Sequence, residues 1–572
     1  MNYQIKDIVS EPQIAYFSME IGFRNDIPTY SGGLGVLAGD TIKSAADLNL
    51  PMVAVTLIYR KGYFRQSLDA DGRQSEHPEE WNPADHMTLL PQKTRLVIEG
   101  REVVVQAWVY YVTNPITKWS VPIVFLDTDV NENAPQDREL THYLYCGDDR
   151  YRLKQEMVLG IGGFRMLKAL GFMIKKYHMN EGHASLLTIE LLLRHRRDIE
   201  AVWDERETWD VEAVKEFCVF TTHTPVEAGH DKFPYDLVKA VMGEVVPFDV
   251  LKDLGGPDKL NMTRLAMNLS NYINGVAKKH GEVSKLLFPG YKIQAITNGV
   301  HTFTWTCESM ARLFDKYLPG WANEPELFVR IGKAPDAEIW AAHMEAKRKL
   351  IDHVNKTTGV GMDYDTLTIG FARRATAYKR ANLLFYDTAR LKKIGKGKLQ
   401  IIYAGKAHPR DADGKRNIEE IVARAKELKT AIKIVYLENY NMDLAMKMVS
   451  GVDVWLNTPM RPREASGTSG MKAAHNGVMN FSVLDGWWIE GHIEGFTGWS
   501  IGPDPTESTL VASTDALDAE DMYKKLEHQV IEIYYNNRPV WIRMMQNAIS
   551  KNAYYFNSHR MMRRYVTEAY IR

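Results

Sequence analysis

The sequence predicts an α/β protein of two Rossmann-like lobes facing a cleft. At 572 residues the chain exceeds what one hydrophobic core serves, so two large domains are expected. Two separate regions alternate apolar, β-branched runs with helical stretches, the pattern of parallel sheets joined by right-handed crossovers. Each region also carries a glycine-rich turn ahead of a helix, at residues 30–35 and 467–470.

Residues 13–17 are a short apolar strand ending at Ser18. Tyr30-Ser31-Gly32-Gly33-Leu34-Gly35 then precedes residues 36–48, whose apolar spacing is helical, and residues 52–58 are a β-branched strand. Strand, glycine loop, helix and strand open a doubly wound unit. Residues 95–98, 102–112 and 119–126 are β-rich, with Gly100 and Asn114-Pro115 as turns, and predict an antiparallel insertion near 94–127. Residues 127–149 are an acidic loop long enough to border a site, and 151–170 return to helix. Asn180-Glu181-Gly182-His183 precedes a helix at 184–194. A strand at 217–222 ends in His223-Thr224-Pro225, and open α/β sheets bind ligands at such carboxyl ends. A single histidine is more often a satisfied structural imidazole, so His183 and His223 carry no assignment by themselves.

Residues 291–296 are a strand followed by the turn Thr297-Asn298-Gly299-Val300 and by Trp305. Here the first lobe gives way to the second, dividing the chain into 1–302, 303–545 and a terminal helix 546–572. After a helix at 338–357, strands fall at 367–372, 400–404, 432–437 and 452–456, with helices starting near Tyr378, Ile418 and Met442. The last helices cover 520–536 and 541–571. Arg373, Arg374, Lys379 and Arg380 follow a strand directly. A solvated face is the usual explanation for such a cluster, but this one stands at a strand's carboxyl end with no acidic run nearby.

Gly467-Thr468-Ser469-Gly470 can turn tightly with backbone N–H groups facing an anion; residues 471–476 favour helix and Gly477 is a stop. A glycine-rich turn feeding a helix N-terminus is a ready anion site. Lys472 falls in the first turn of the predicted helix, where a cation opposes the helix dipole. Covalent attachment to a cofactor bearing its own phosphate would compensate it. The alternative is a surface lysine after a flexible turn.

The run Glu464-Ala465-Ser466-Gly467-Thr468, with Met471-Lys472 and Asn476-Gly477 after it, resembles the pyridoxal 5′-phosphate site of the α-glucan (glycogen, starch, maltodextrin) phosphorylases. Further matches keep the family's order from about Tyr16 to Asp485, and include Gly405-Lys406-Ala407 and Glu438-Asn439-Tyr440. The resemblance implies the bilobal GT-B glycosyltransferase architecture, its terminal helix crossing back to the first lobe. It implies reversible, retaining phosphorolysis of the terminal glucose of an α-1,4-glucan or maltooligosaccharide to glucose 1-phosphate, with the cofactor acting through its phosphate as a proton relay.

The resemblance also distributes roles. Lys472, Arg374, Lys379 and His223 become the catalytic set, with Lys472 carrying pyridoxal 5′-phosphate. Thr468, Ser469, Arg373, Tyr440, Trp305 and Gly33 surround the cofactor. Gly32, Gly33 and Leu34 bring loop amides near the substrate phosphate, which Arg374 and Lys379 hold. Glu181, His183, His223, Asn298, Glu464, Ala465, Ser466 and Gly467 serve the sugar. Arg373 stands where most members have lysine, and Glu181 where they have aspartate. Residues 151–156 are similar to a segment that contributes to allosteric phosphate binding in some members. No metal is implied. Nucleotide-sugar synthases of the same architecture often carry a second glutamate eight residues after the first, where this chain has Lys472.

A net charge of −1 argues against nucleic acid or an anionic membrane as partner. Cys146, Cys218 and Cys307 are odd in number and lack metal-ligand spacing, which fits a reducing cytoplasm. There is no leader pattern and no apolar run that could span a bilayer. The chain begins almost at its first core strand, so the N-terminal regulatory helices of larger members, and control through them, are not expected. The resemblance leaves a homodimer open.

Overall fold

The computed structural model describes residues 13–198, 200, 205–503 and 514–571. Residues 1–12, part of the stretch read for a leader, lie outside them. The first half of the chain supplies β1 (Gln13–Ser18), β2 (Met52–Leu57), β3 (Arg65–Leu68), β4 (Gln74–His77), β5 (Thr88–Ile98), β6 (Arg101–Thr113), β7 (Ser120–Asp127), β8 (Ile174–Asn180), β9 (Cys218–Thr221), β10 (Lys232–Pro234), β11 (Lys259–Asn261), β12 (Tyr272–Gly275) and β13 (Ile293–Ala295). β3 and β4 form a separate hairpin and β10 pairs with β11; the others make one sheet in the order β13-β12-β9-β8-β1-β2-β7-β6-β5. β1 and β2 are continuous apolar runs because helices cover both of their faces. The stretch near 94–127 is antiparallel and extends this sheet's edge: β5 pairs with β6, β6 with β7, and β7 runs parallel to β2. Winding reverses between β1 and β8, which puts a crevice at their carboxyl ends.

The second half supplies β14 (Leu367–Ala372), β15 (Leu399–Ala404), β16 (Lys433–Leu437), β17 (Val454–Asn457), β18 (Met479–Val483) and β19 (Gly498–Ile501). They form an all-parallel sheet ordered β16-β15-β14-β17-β18-β19, the doubly wound sequence, reversing between β14 and β17. β14 spans the residues its apolar run predicts. β8, β18 and β19 escaped the sequence reading because polar residues interrupt them. Two of them are buried for partners outside their strands: His178 joins Tyr570 at 2.7 Å and Thr221 at 2.8 Å, and Asn480 donates to the Gly470 carbonyl at 3.0 Å.

The helices that matter here are α1 (Gly33–Asp47), α2 (Asp336–Thr358), α3 (Met442–Gly451), α4 (Thr468–His475) and α5 (Ser558–Tyr565). α1 and α4 each begin three residues before the expected start, inside the glycine turn itself. The helix expected near Tyr378 is only the short turn Ala377–Lys379, ended by Arg380 at φ 46°. Trp541, Met545 and Ile549 pack with Trp499 in the second sheet's core. The chain breaks at Asn557, whose side chain caps α5 by accepting from the Arg560 N–H at 2.8 Å. α5 then lies on the first sheet's helix: Met561, Met562 and Tyr565 share a core with Tyr16 and Ile42, and Ser558 meets Ser44 at 2.5 Å. Asp47, ending α1, joins His301 at 2.7 Å and His559 at 2.9 Å, pinning helix, connector and α5 together. Among the described residues no helix is long and apolar enough to cross a membrane.

Candidate active site

Strand ends of both sheets open onto one cavity of about 560 Å³. Each sequence-predicted site residue lines it: Gly32, Gly33, Leu34, Glu181, His183, His223 and Asn298 from before residue 302, and Trp305, Arg373, Arg374, Lys379, Tyr440, residues 464–469 and Lys472 from after it.

Lys472 stands in the second turn of α4, not the first, because the helix already begins at Thr468. Burial, rather than the helix dipole, therefore sets its state. It is 7% exposed, and burial lowers its pKa to about 8, with Asp40 pulling upward and Lys43 downward. Its Nζ lies 3.9 Å from the centroid of the Trp305 ring, and the indole N–H donates to both oxygens of Asp40 at 3.0 and 2.9 Å. Among the described residues no acceptor bonds Nζ. A buried amine close to neutrality is a competent nucleophile toward an aldehyde. Gly467 caps the helix at φ 87°, a left-handed turn that glycine adopts without strain. The amides of Thr468 and Ser469 have no acceptor among the described residues, while the Ser469 hydroxyl accepts from Trp455 at 3.1 Å.

The basic loop after β14 does have an acidic partner, contrary to the sequence expectation. Glu464 comes from after β17, where sequence distance hid it. Lys379 donates to both of its oxygens at 2.9 Å and Arg373 to one at 2.5 Å; Arg373 also bonds Asn457. Burial would raise the Glu464 carboxyl, but Arg373 and Lys379 hold it down to about 2. Its own N–H donates to Asp485 at 2.8 Å, and burial lifts Asp485 to about 7, helped by Glu464. Arg374 differs: it faces the open cavity, and no carboxylate pairs with it among the described residues. Its side chain is solvent-exposed in the cavity, yet the protein walls around it oppose its charge; Tyr378, Glu20, Tyr63 and Tyr145 favour the charge, and the net direction is upward.

The glycine loop holds a residue the sequence reading missed. Glu20, just past β1, accepts from the N–H groups of Ser31 at 2.6 Å and Gly32 at 3.0 Å, and from the Tyr145 hydroxyl at 3.0 Å. The amides of Gly33 and Leu34, next along, have no acceptor among the described residues. An acid immediately after a central strand was the available signal.

Past the ends of β8 and β9, His223 Nε2 meets Asn180 Oδ1 at 2.6 Å and burial lowers its pKa to about 3, so the ring is neutral. Glu181 adopts φ 71°, ψ 172°, a region almost reserved for glycine. Its carboxylate accepts from the His223 N–H at 2.6 Å and the Thr224 hydroxyl at 2.9 Å, so it shapes the strand end rather than pointing away from it. His183 is likewise lowered to about 3 by burial, lies 3.5 Å from Asp231, and has Nδ1 unbonded. Asn298 Oδ1 and Ser466 Oγ are also buried without partners, polar atoms that a hydroxylated ligand would satisfy.

A carbohydrate phosphorylase family profile matches residues 24–105 and 248–494. Glu181, His183 and His223 fall in the interval between the two matches. The maltodextrin phosphorylase of Thermococcus litoralis is 40% identical over 98% of this chain and 70% of its own length. The glycogen phosphorylase of Aquifex aeolicus is 36% identical over 99% of this chain and 87% of its own, and that of Mycobacterium tuberculosis 35% over 97% and 70%.

Proposed function

As a member of the carbohydrate phosphorylase family this chain is an α-glucan phosphorylase, and we propose that its cavity cleaves the terminal α-1,4 bond with phosphate, using pyridoxal 5′-phosphate on Lys472. We read the two sheets as the facing lobes of the GT-B architecture, divided near residue 302, with the terminal helix returning to the first. The observation that carries the reading is Lys472, a buried amine whose Nζ has no hydrogen-bond partner among the described residues, in the same cavity as Arg374, a cation with no carboxylate partner among them.

The residues present fit the cofactor. Lys472 Nζ is free to bond its aldehyde, the Thr468 and Ser469 amides are open to its phosphate, and Trp305 and Tyr440 supply flat surfaces. When bound, it supplies a second phosphate beside the substrate phosphate, through which a proton reaches the leaving glucosidic oxygen. Two phosphates side by side repel, so cations must lie between them. Arg374 offers a bidentate fork for the substrate phosphate, and the Gly33 and Leu34 amides add neutral donors. Lys379 and Arg373 enter only by sharing Glu464, so phosphate arrival redistributes an existing ion pair instead of neutralising bare charge. Neutral His223 and the unbonded Asn298 Oδ1 orient the glucosyl unit without adding charge near the anomeric carbon. Phosphate held on one face of the sugar, with water kept out, gives glucose 1-phosphate with retained configuration. Glu464 is engaged by Arg373 and Lys379, so it is not free to act as one of a glycosidase's two carboxylates.

The test is direct. Glucan plus inorganic phosphate should release glucose 1-phosphate, and maltooligosaccharides and glycogen should both be assayed. Glucan extension from UDP- or ADP-glucose alone would replace this reading with that of a synthase.

A further inference from the structure

The hairpin β3–β4 belongs to the first half of the chain, yet its bonds run to the second sheet. Gln66 is 1% exposed, and its carboxamide is fully used. Nε2 donates to the Gly405 carbonyl at 3.0 Å and to Gln74 at 2.8 Å, while Oε1 accepts from the Asn439 N–H at 2.8 Å. The Gln66 N–H returns a bond to Asn439 Oδ1 at 3.2 Å. Gln74 repeats the pattern farther along the same loop, accepting from the Ala407 N–H at 3.0 Å and donating to its carbonyl at 2.9 Å. Between them the Lys406 ammonium donates to the Phe64 carbonyl at 2.7 Å. Two glutamines thus hold the loops that follow β15 and β16, whose backbones need holding: Asn439 sits at φ 54° and Gly405 at φ 145°.

The first of these loops supports the basic loop. The Ala375 N–H donates to the Lys406 carbonyl at 3.0 Å, and the Arg373 N–H to Ala404 at 3.3 Å. A side chain at residue 405 would meet the Arg373 carbonyl at 1.9 Å, so the two loops lie in direct backbone contact. A continuous set of hydrogen bonds therefore runs from the hairpin, across the cleft, to the backbone that carries Arg374.

We infer that Gln66 is a positioning residue for the substrate-phosphate seat: it fixes loop 405–407 from across the cleft, and that loop fixes the backbone of Arg374. The inference rests on reading the basic loop as the phosphate seat. Gln66 is not among the residues lining the cavity, and its effect falls on phosphate rather than glucan because Glu181, His223 and Asn298, three of the sugar-side residues, follow strands of the first sheet that these hydrogen bonds do not reach.

Gln66→Met keeps the volume and removes the donors; Gln66→Ala removes both. In the holoenzyme each should raise KM for phosphate about 10- to 30-fold, with KM for maltoheptaose within twofold and cofactor content unchanged. Hydrogen–deuterium exchange should rise in peptides covering 373–376, 405–408 and 438–440, and not in the peptide covering α4. Equal changes in both KM values, or unchanged exchange at 373–376, would overturn the inference. Should Gln66→Ala fail to fold, Gln66→Met decides the same question. A wild-type protein that cannot phosphorolyse glucan would overturn the functional reading instead, and the exchange data would still decide whether the hairpin holds the basic loop.

Discussion

Lys472→Ala yields a folded protein without covalently held cofactor and with activity lowered at least about 10³-fold, since the proton source goes with the attachment point. Folding survives because among the described residues Nζ has no hydrogen-bond partner to orphan, and the lost atoms border an existing cavity. Borohydride reduction followed by peptide mapping labels Lys472 in the parent protein; a label elsewhere removes the assignment. The lowered pKa adds a pH signature. Only the unprotonated amine attacks an aldehyde, so reloading of cofactor-free protein accelerates as pH rises through the amine's pKa. With that value at about 8, the free-amine fraction goes from roughly a tenth at pH 7 to a half at pH 8. Reloading therefore speeds up about fivefold over that interval and levels off above pH 9. An ordinary lysine would keep accelerating about tenfold per unit to pH 10, and that outcome would show that burial does not tune this amine.

Arg374→Ala cuts kcat/KM for phosphate while leaving cofactor content near normal. Arg373 and Lys379 are tied to Glu464, so neither can fully replace the missing fork. Losing a charge-assisted contact between two phosphates costs about 2–4 kcal/mol, roughly 30- to 1000-fold in rate. Arg374→Lys recovers only part, because a point charge cannot hold two oxygens in plane. Glucan binding changes little. Loss of cofactor instead would assign Arg374 to the cofactor phosphate, and no change at all would make it a solvated side chain.

The sequence told most where one chain segment decides its own structure. β1, β2 and β14 are legible because strands covered on both faces read as unbroken apolar runs. The cavity's lining was legible because strand ends and glycine turns are local signals. What stayed hidden were pairings between remote segments. Glu464 sits 85 positions from Lys379, and nothing near the basic loop announces the acid that binds it. His178 reads as a break in a strand until Tyr570, 392 positions away, explains why it is buried. The placement of Lys472 was missed by one helical turn, since a glycine turn and a helix start overlap in the same residues.

The docking of α5 on α1 bears on how the chain is made. Ser44 and Ser558 touch across 514 positions, and Tyr16 and Ile42 are covered partly by Met561 and Tyr565. At roughly 5–20 residues per second, a ribosome needs about half a minute to two minutes to travel that distance. Until α5 emerges, the helix of the first sheet presents an uncovered apolar groove to its surroundings. Synthesis of α5, rather than formation of the first sheet, is therefore the step that closes this surface.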